Sequence, residues 1–168
     1  MKEIKIIALS DTHMPRMAKQ LPSKLVEELK DADLILHAGD WQTMNVYEEL
    51  NAFAPVEGVC GNVDHDELIE RFGMQKVLEL GRFRIGLVHG HGTKGTTEQR
   101  ALAAFAEESV DLIIYGHSHI PILKEVNDVI LLNPGSPTDK RRQEYYSFAV
   151  IRLGQKMAVE HVFYESKM

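Results

Sequence analysis

Five apolar segments of this chain break off in the same way, each at a tight turn that carries Asp, His or Asn. Glu3–Ser10 runs through Ile4, Ile6, Ile7 and Leu9 into Asp11-Thr12-His13. Asp33–His37 closes on Ala38-Gly39-Asp40, and Pro55–Cys60 on Gly61-Asn62-Val63-Asp64. Arg82–His89 opens into Gly90-His91, and Asp111–Tyr115 into Gly116-His117-Ser118-His119. Short, continuously apolar runs bounded by turn residues are the pattern of strands buried on both faces, and such strands need helices or a second sheet to cover them. Helical spacing falls between them: Leu25, Val26 and Leu29 in Pro22–Leu29, a weaker stretch over Met44–Phe53, and the strongest over Thr96–Glu108. In the last, Ala101, Leu102, Phe105 and Ala106 share one side.

Strand and helix therefore alternate through the first two-thirds, the signature of an α/β fold with parallel strands. Met74–Leu80 and Arg82–His89 form a hairpin joined at Gly81-Arg82. The last third is β-rich, with strands at Ile122–Val126, Val129–Asn133, Tyr146–Leu153 and Met157–Tyr164. The expected architecture is α/β with mixed β-sheets, arranged as a two-sheet sandwich flanked by helices, in one domain spanning residues 1–168.

Composition narrows the function classes. Nineteen Lys and Arg against 25 Asp and Glu give a net charge of −6, which argues against a nucleic-acid clamp needing a basic face. The longest apolar run, Ala101–Ala106, is far short of the roughly 20 residues of a membrane span. Lys2, Glu3 and Lys5 stand where a signal peptide would be apolar. The single cysteine, Cys60, makes no internal disulfide and reads as a small buried apolar group rather than a nucleophile. The expectation is a soluble, cytoplasmic protein that acts on a small molecule, with association into a homo-oligomer left open.

The turns themselves carry the chemistry. In open α/β sheets ligands bind beyond the carboxyl ends of parallel strands. Asp11, His13, Asp40, Asn62, His89, His117 and His119, from five separate turns, would thus meet at one edge. Taken singly, each is an ordinary turn residue or a hydrogen-bonded histidine. Seven together, all oxygen or nitrogen donors and no thiolate, match divalent transition metals. They are too many for one tetrahedral ion but suit two ions sharing a carboxylate, about 3.5–4 Å apart.

Asp11-Thr12-His13, Gly39-Asp40, Gly61-Asn62, His89-Gly90-His91 and Gly116-His117-Ser118-His119 resemble the five ordered blocks of the calcineurin-like metallophosphoesterase superfamily. The short length and the Asn133-Pro134-Gly135-Ser136 turn resemble its small YfcE-type phosphodiesterase branch. The resemblance implies one metal held by Asp11, His13 and His119, a second held by Asn62, His89 and His117, and Asp40 bridging both. It also implies two divalent cations, manganese first and iron, nickel or zinc next, with a bridging hydroxide as nucleophile against a phosphodiester. Relatives commonly follow the Asn with a His that serves as general acid, but Val63 stands there in this chain. Asp64 keeps the next acidic position, and His91 is an unliganded imidazole in its block; these two are the candidate catalytic side chains.

Several other features compete for attention. Gly90-His91-Gly92-Thr93-Lys94-Gly95 spells a dinucleotide fingerprint, but the acid that should close the following strand, Asp111, stands at its beginning. The amides opening that helix offer a phosphate site, or the glycines merely relax the turn. Lys140-Arg141-Arg142 is the only basic cluster, and Arg141 is the candidate contact to a small phosphoester substrate. Trp41, next to Asp40, either walls the pocket or belongs to the core. Two rival functions stand beside the phosphodiesterase: a phosphomonoesterase or nucleotidase on the same site, and a non-catalytic scaffold. The fold resembles a vacuolar-sorting coat subunit whose metal site is degraded, whereas all seven ligand positions are intact here.

Overall fold

Strand β1 (Ile4–Leu9) shows how the molecule is layered. Side chains alternate across a strand, so Ile6 and Ala8 face one way and Ile7 and Leu9 the other, all fully buried. Ile7 and Leu9 join a core with helices α1 (Ser23–Leu29), α2 (Met44–Asn51) and α3 (Asp66–Phe72) through Leu25, Leu29, Val46, Leu50, Leu68 and Phe72. Ile6 and Ala8 meet Ile85, Leu87, Leu112, Ile114 and Leu132 of a second sheet. A third core lies beyond that sheet, where Ala101 of α4 (Thr97–Ala104) and Phe105 at its C-cap cover Ile113, Tyr115 and Leu131. The computed structural model, which describes residues 2–168, is thus a sandwich of two sheets with helices outside both.

Each sheet has five strands. The first places β2 (Leu34–His37) and β3 (Val56–Gly58) parallel to β1 on one side, and β9 (Tyr146–Leu153) and β10 (Met157–Tyr164) antiparallel on the other. The second runs β4 (Gln75–Leu80), β5 (Phe83–Val88), β6 (Leu112–Ile114), β8 (Val129–Asn133) and β7 (Ile122–Val126). There β5, β6 and β8 are parallel, and the two edge strands antiparallel. Mixed sheets and a two-sheet sandwich are both realised. The carboxyl ends of β1, β2 and β3 and of β5, β6 and β8 carry the polar turns.

Some boundaries differ from the sequence reading. Helix α4 ends at Ala104, and Ala106 is exposed rather than on the buried side. Its start is sharp, because Thr96 and Gln99 close a capping box that satisfies two end donors. Strand β3 is only three residues long. Cys60 lies beyond it, buried, with its N–H donating to the Gly73 carbonyl, and burial raises its thiol to about 12. Helix α3 has no counterpart in the sequence reading: Leu68 and Phe72 are its only buried residues, too sparse a stripe to stand out. No helix among the described residues is long and apolar enough to cross a membrane.

Candidate metal centre

The turns after β1 and β2 lock together first. Asp11 N–H donates to the Gly39 carbonyl at 2.9 Å, His13 N–H to the Asp40 carbonyl at 3.1 Å, and Met14 N–H to the Trp41 carbonyl at 3.1 Å. His37, wholly buried at the end of β2, ties both turns from beneath. Gly39 N–H reaches its Nδ1 at 3.1 Å, so that nitrogen is an acceptor and Nε2 carries the proton. Nε2 then donates to the Thr12 hydroxyl at 3.1 Å, which passes its own proton to the Trp41 carbonyl at 3.1 Å. Burial holds this imidazole neutral, with its pKa pushed down to about 3.

The backbone at these turns is strained. Asp11, His13, Asp40, His117 and His119 all sit at φ between 44° and 72°, the left-handed region that L side chains avoid. Each such residue costs about 1–3 kcal/mol, and such strain gathers where function demands it. Close approach adds to the demand. A Cβ on Gly116 would lie 1.9 Å from Ser10 Oγ, and one on Gly61 would lie 2.2 Å from Asp40 Oδ1. Only glycine lets the turns after β3 and β6 come this near.

Two clusters result, Asp11 with His13 and His119, and Asp40 with His89 and His117, each holding ligand atoms within 4.8 Å of one another. In each carboxylate one oxygen is occupied and the other is presented. Asp11 Oδ2 accepts from Ser10 Oγ at 2.9 Å and His117 N–H at 3.0 Å, leaving Oδ1 buried without a partner. Asp40 Oδ1 accepts the Val63 N–H at 3.0 Å. Its Oδ2 lies 3.6 Å from His13 Nε2 and 3.1 Å from His89 Nε2, between the two clusters. The histidines are oriented likewise. His89 Nδ1 donates to the Ala38 carbonyl at 2.8 Å, and His119 Nδ1 to that of Asp139. Their Nε2 atoms, with that of His13, are buried and have no hydrogen-bond partner among the described residues.

Unpaired buried donors and acceptors cost about 1–3 kcal/mol each, so four in one spot call for a ligand. Neutral imidazole lone pairs beside carboxylate oxygens fit a divalent cation. Without one, the charges rearrange. Burial disfavours the charged form of His89, yet Asp11, Asp40 and the Ala38 carbonyl overcome it and raise its pKa to about 9. Asp11 is held down at about 2 because His89, His13, His119 and Ser10 outweigh its burial.

The remaining sequence candidates fall in different places. Asn62 is exposed, in the turn whose flanking Gly61 and Val63 amides are tied to Asp64 and Asp40. Asp64 is a correction: its carboxylate accepts from Asp40, Gln42 and Gly61 N–H groups at 2.8–2.9 Å. With both oxygens engaged by backbone, it fixes Asp40 against the β3 turn. His91 is exposed beside the second cluster, its ring 5.6 Å from that of His89 and 6.3 Å from that of His117. Burial lowers its pKa, with the charge on His89 adding to the effect. Arg141 is exposed and lines a cavity next to Ser118.

Of its two readings, Trp41 takes the core. It is fully buried between His37 at 4.0 Å and Phe72 at 4.6 Å, with its indole N–H on the Val59 carbonyl, so it cannot stack on a substrate. The glycine loop before α4 is folded onto Arg100, which donates to the carbonyls of Gly90, Lys94 and Gly95. The glycines serve that closure: a Cβ on Gly92 would lie 2.7 Å from the Arg100 side chain. Sequence reasoning missed His37, Asp139 and Ser10, whose roles depend on partners far away in the chain.

Known proteins resemble this chain. The sequence profile of the calcineurin-like phosphoesterase superfamily domain matches residues 4–156. A protein of Methanothermobacter thermautotrophicus named "Probable metallophosphoesterase" is 40% identical over 154 residues, covering 90% of this chain and 88% of its own. A "Probable metallophosphoesterase" of Methanocaldococcus jannaschii is 35% identical over 134 residues, covering 79% and 68%. Among solved structures, Vps29 of Entamoeba histolytica complexed with Zn2+ superposes with a TM-score of 0.76, over 95% of this chain and 99% of its own. At 24% identity that match speaks for the fold.

Proposed function

The chain belongs to the calcineurin-like phosphoesterase superfamily, and from that membership we propose that it is a metal-dependent phosphodiesterase that works with a pair of divalent cations. The observation that carries this reading is the convergence of Asp11 Oδ1 and the Nε2 atoms of His13, His89 and His119, all buried and unpartnered, on either side of Asp40 Oδ2. A scaffold has no use for orphaned acceptors held on a strained backbone.

Asp11, His13 and His119 would hold one cation, and Asn62, His89 and His117 the other. Asp40 would serve both; its Oδ2 faces His13 and His89, while its Oδ1 accepts the Val63 N–H. Two cations held there would acidify water and neutralise charge developing on the phosphoryl oxygens. Oxygen and nitrogen donors are compatible with manganese, taken here as the first candidate, and with iron, nickel or zinc. His91 is the candidate proton donor to the leaving oxygen, and Arg141 the candidate contact to the substrate. A diester with a good leaving group suits a site in which Val63 stands where relatives carry an acid.

The test is hydrolysis of bis(p-nitrophenyl) phosphate by protein stripped of metal and then reconstituted with Mn2+. Activity should require about two ions per chain and exceed that on p-nitrophenyl phosphate. Protein that binds two ions and cleaves neither ester would overturn the reading.

A further inference from the structure

Several basic side chains here are spoken for by carboxylates: Lys5 by Glu28 and Asp31, Lys76 by Glu57, Arg84 by Glu79 and Glu108, Lys124 by Glu98, Arg152 by Glu3. Lys140, Arg141 and Arg142 are the only three consecutive basic side chains in the sequence. Among the described residues their only carboxylate neighbour is Asp139, 3.9 Å from Arg141 Nε. They sit on a built turn rather than a loose tail. Gln143 N–H donates to the Lys140 carbonyl at 2.9 Å, Lys140 Nζ reaches back to the Gln143 carbonyl and lies over the Tyr146 ring, and Arg141 adopts φ 49°. The turn is anchored to the metal centre, because Asp139, immediately before it, holds His119 through its backbone carbonyl.

The three cations line a cavity of about 440 Å3 together with Ser118, Ile120 and Gln143. Ser118 stands between His117 and His119, so the cavity opens directly beside the candidate metal centre. Its size lies in the range of small-ligand pockets. Its charge exceeds what the scissile group needs. A phosphodiester carries a single negative charge, and two divalent cations facing Asp11 and Asp40 already balance it. In a protein of net charge −6, three adjacent cations sharing a single carboxylate neighbour beside that site fit one further compact anion, not a polyanion track.

We propose that this cavity seats a second, terminal phosphate of the substrate, so that the preferred phosphodiester is nucleotide-sized and carries a phosphomonoester besides the bond that is cut. The assignment rests on the phosphodiesterase reading above. Arg141 and Arg142 would grip the monoester dianion, Lys140 would add charge from the floor of the turn, and Ile120 would pack against the organic part.

Two probes differing only in that group test it: thymidine 5′-(p-nitrophenyl phosphate) with and without a 3′-phosphate, assayed with Mn2+-loaded protein. The 3′-phosphorylated probe should show kcat/KM about tenfold higher, the scale of one charge-assisted contact. The preference should fall toward unity in the Arg141→Ala/Arg142→Ala double variant, and also in about 0.5 M NaCl, where exposed charges are screened. Equal kcat/KM for the two probes in wild type, or a preference untouched by the double substitution, overturns the proposal. If neither probe is cleaved, the phosphodiesterase reading falls, and calorimetry on the same metal-loaded protein decides for the cavity. Thymidine 3′,5′-bisphosphate binding about tenfold tighter than thymidine 5′-monophosphate, in wild type but not in the double variant, upholds the anion site; equal affinities overturn it.

Discussion

His37 is the side chain whose replacement most directly tests how the centre is assembled. Its Nδ1 accepts from Gly39 N–H and its Nε2 donates to Thr12, so one imidazole connects the turn that carries Asp40 to the turn that carries Asp11 and His13. In His37→Leu the buried Gly39 N–H loses its only side-chain acceptor, a loss of about 1–3 kcal/mol. The Thr12 hydroxyl keeps its bond to the Trp41 carbonyl, so its loss is nearer 1 kcal/mol. Removing the ring stacked at 4.0 Å on Trp41 adds about 0.5–1.5 kcal/mol. The sum, about 3–5 kcal/mol, leaves a protein of ordinary stability folded. Denaturant unfolding of the metal-free protein reads that difference, and Mn2+ titration of the folded variant reads the slackened turns as affinity about 10–100-fold weaker, the usual scale for an outer partner of a metal site. His37→Asn keeps an acceptor near Nδ1 and His37→Gln a donor near Nε2, so each should recover part of the loss. A His37→Leu protein with wild-type stability and Mn2+ affinity would refute the tether. Equal losses in all three variants would assign the effect to ring packing instead.

Asp40→Asn should lose Mn2+ and hydrolysis together, by more than the roughly 100-fold of an outer-shell change; metal analysis showing two bound ions with near-normal turnover would refute the bridge. Binding of Mn2+ to the metal-free protein at pH 7 should release close to one proton, because His89, raised to about 9, must give one up. The sign follows: affinity should climb about tenfold per pH unit up to about 9 and then level off, as calorimetry in buffers of different ionisation enthalpy would show. If His91 delivers the proton, rates for substituted phenyl diesters should fall only gently with leaving-group pKa, and His91→Ala should steepen that slope without changing metal content; general acid catalysis is typically worth 10²–10⁴-fold. Chelated protein should keep its helical circular dichroism, since none of the three apolar cores includes a proposed ligand.

The sequence made the centre legible through chain order and chemistry. Asp11, Asp40, His89 and His117 each follow a short apolar run, and a turn after a parallel strand has little choice but to face the same edge as its neighbours. The same logic carried the two sheets, because Ile6, Ile7, Ala8 and Leu9 are apolar on both faces and demand cover on both. It failed where a side chain's role is set by a distant partner. Asp64 looks like chemistry in the sequence, yet three N–H groups from two turns absorb it. For Trp41 the sequence leaves pocket wall and core both open, and only the fold, with φ 60° at Asp40 and the indole between His37 and Phe72, chooses the core. Local spacing carries no record of either event. Helix α3 was lost for a different reason, two buried residues in seven being too weak a period to read.

The distribution of strain marks where this chain is built to hold a ligand. Nine non-glycine residues among those described adopt positive φ, and five of them are Asp11, His13, Asp40, His117 and His119. Asn127 and Asp128 form a hairpin turn between β7 and β8, where such residues are at home. Histidine at φ 72° or 63° has no such excuse, and four buried polar atoms without partners add their own cost at the same place. Their coincidence, with Ser10, Ala38 and Asp139 each satisfying the opposite atom of a presented side chain, leaves one lone pair per ligand aimed inward. That is what binding a cation requires, and what protein–protein recognition does not.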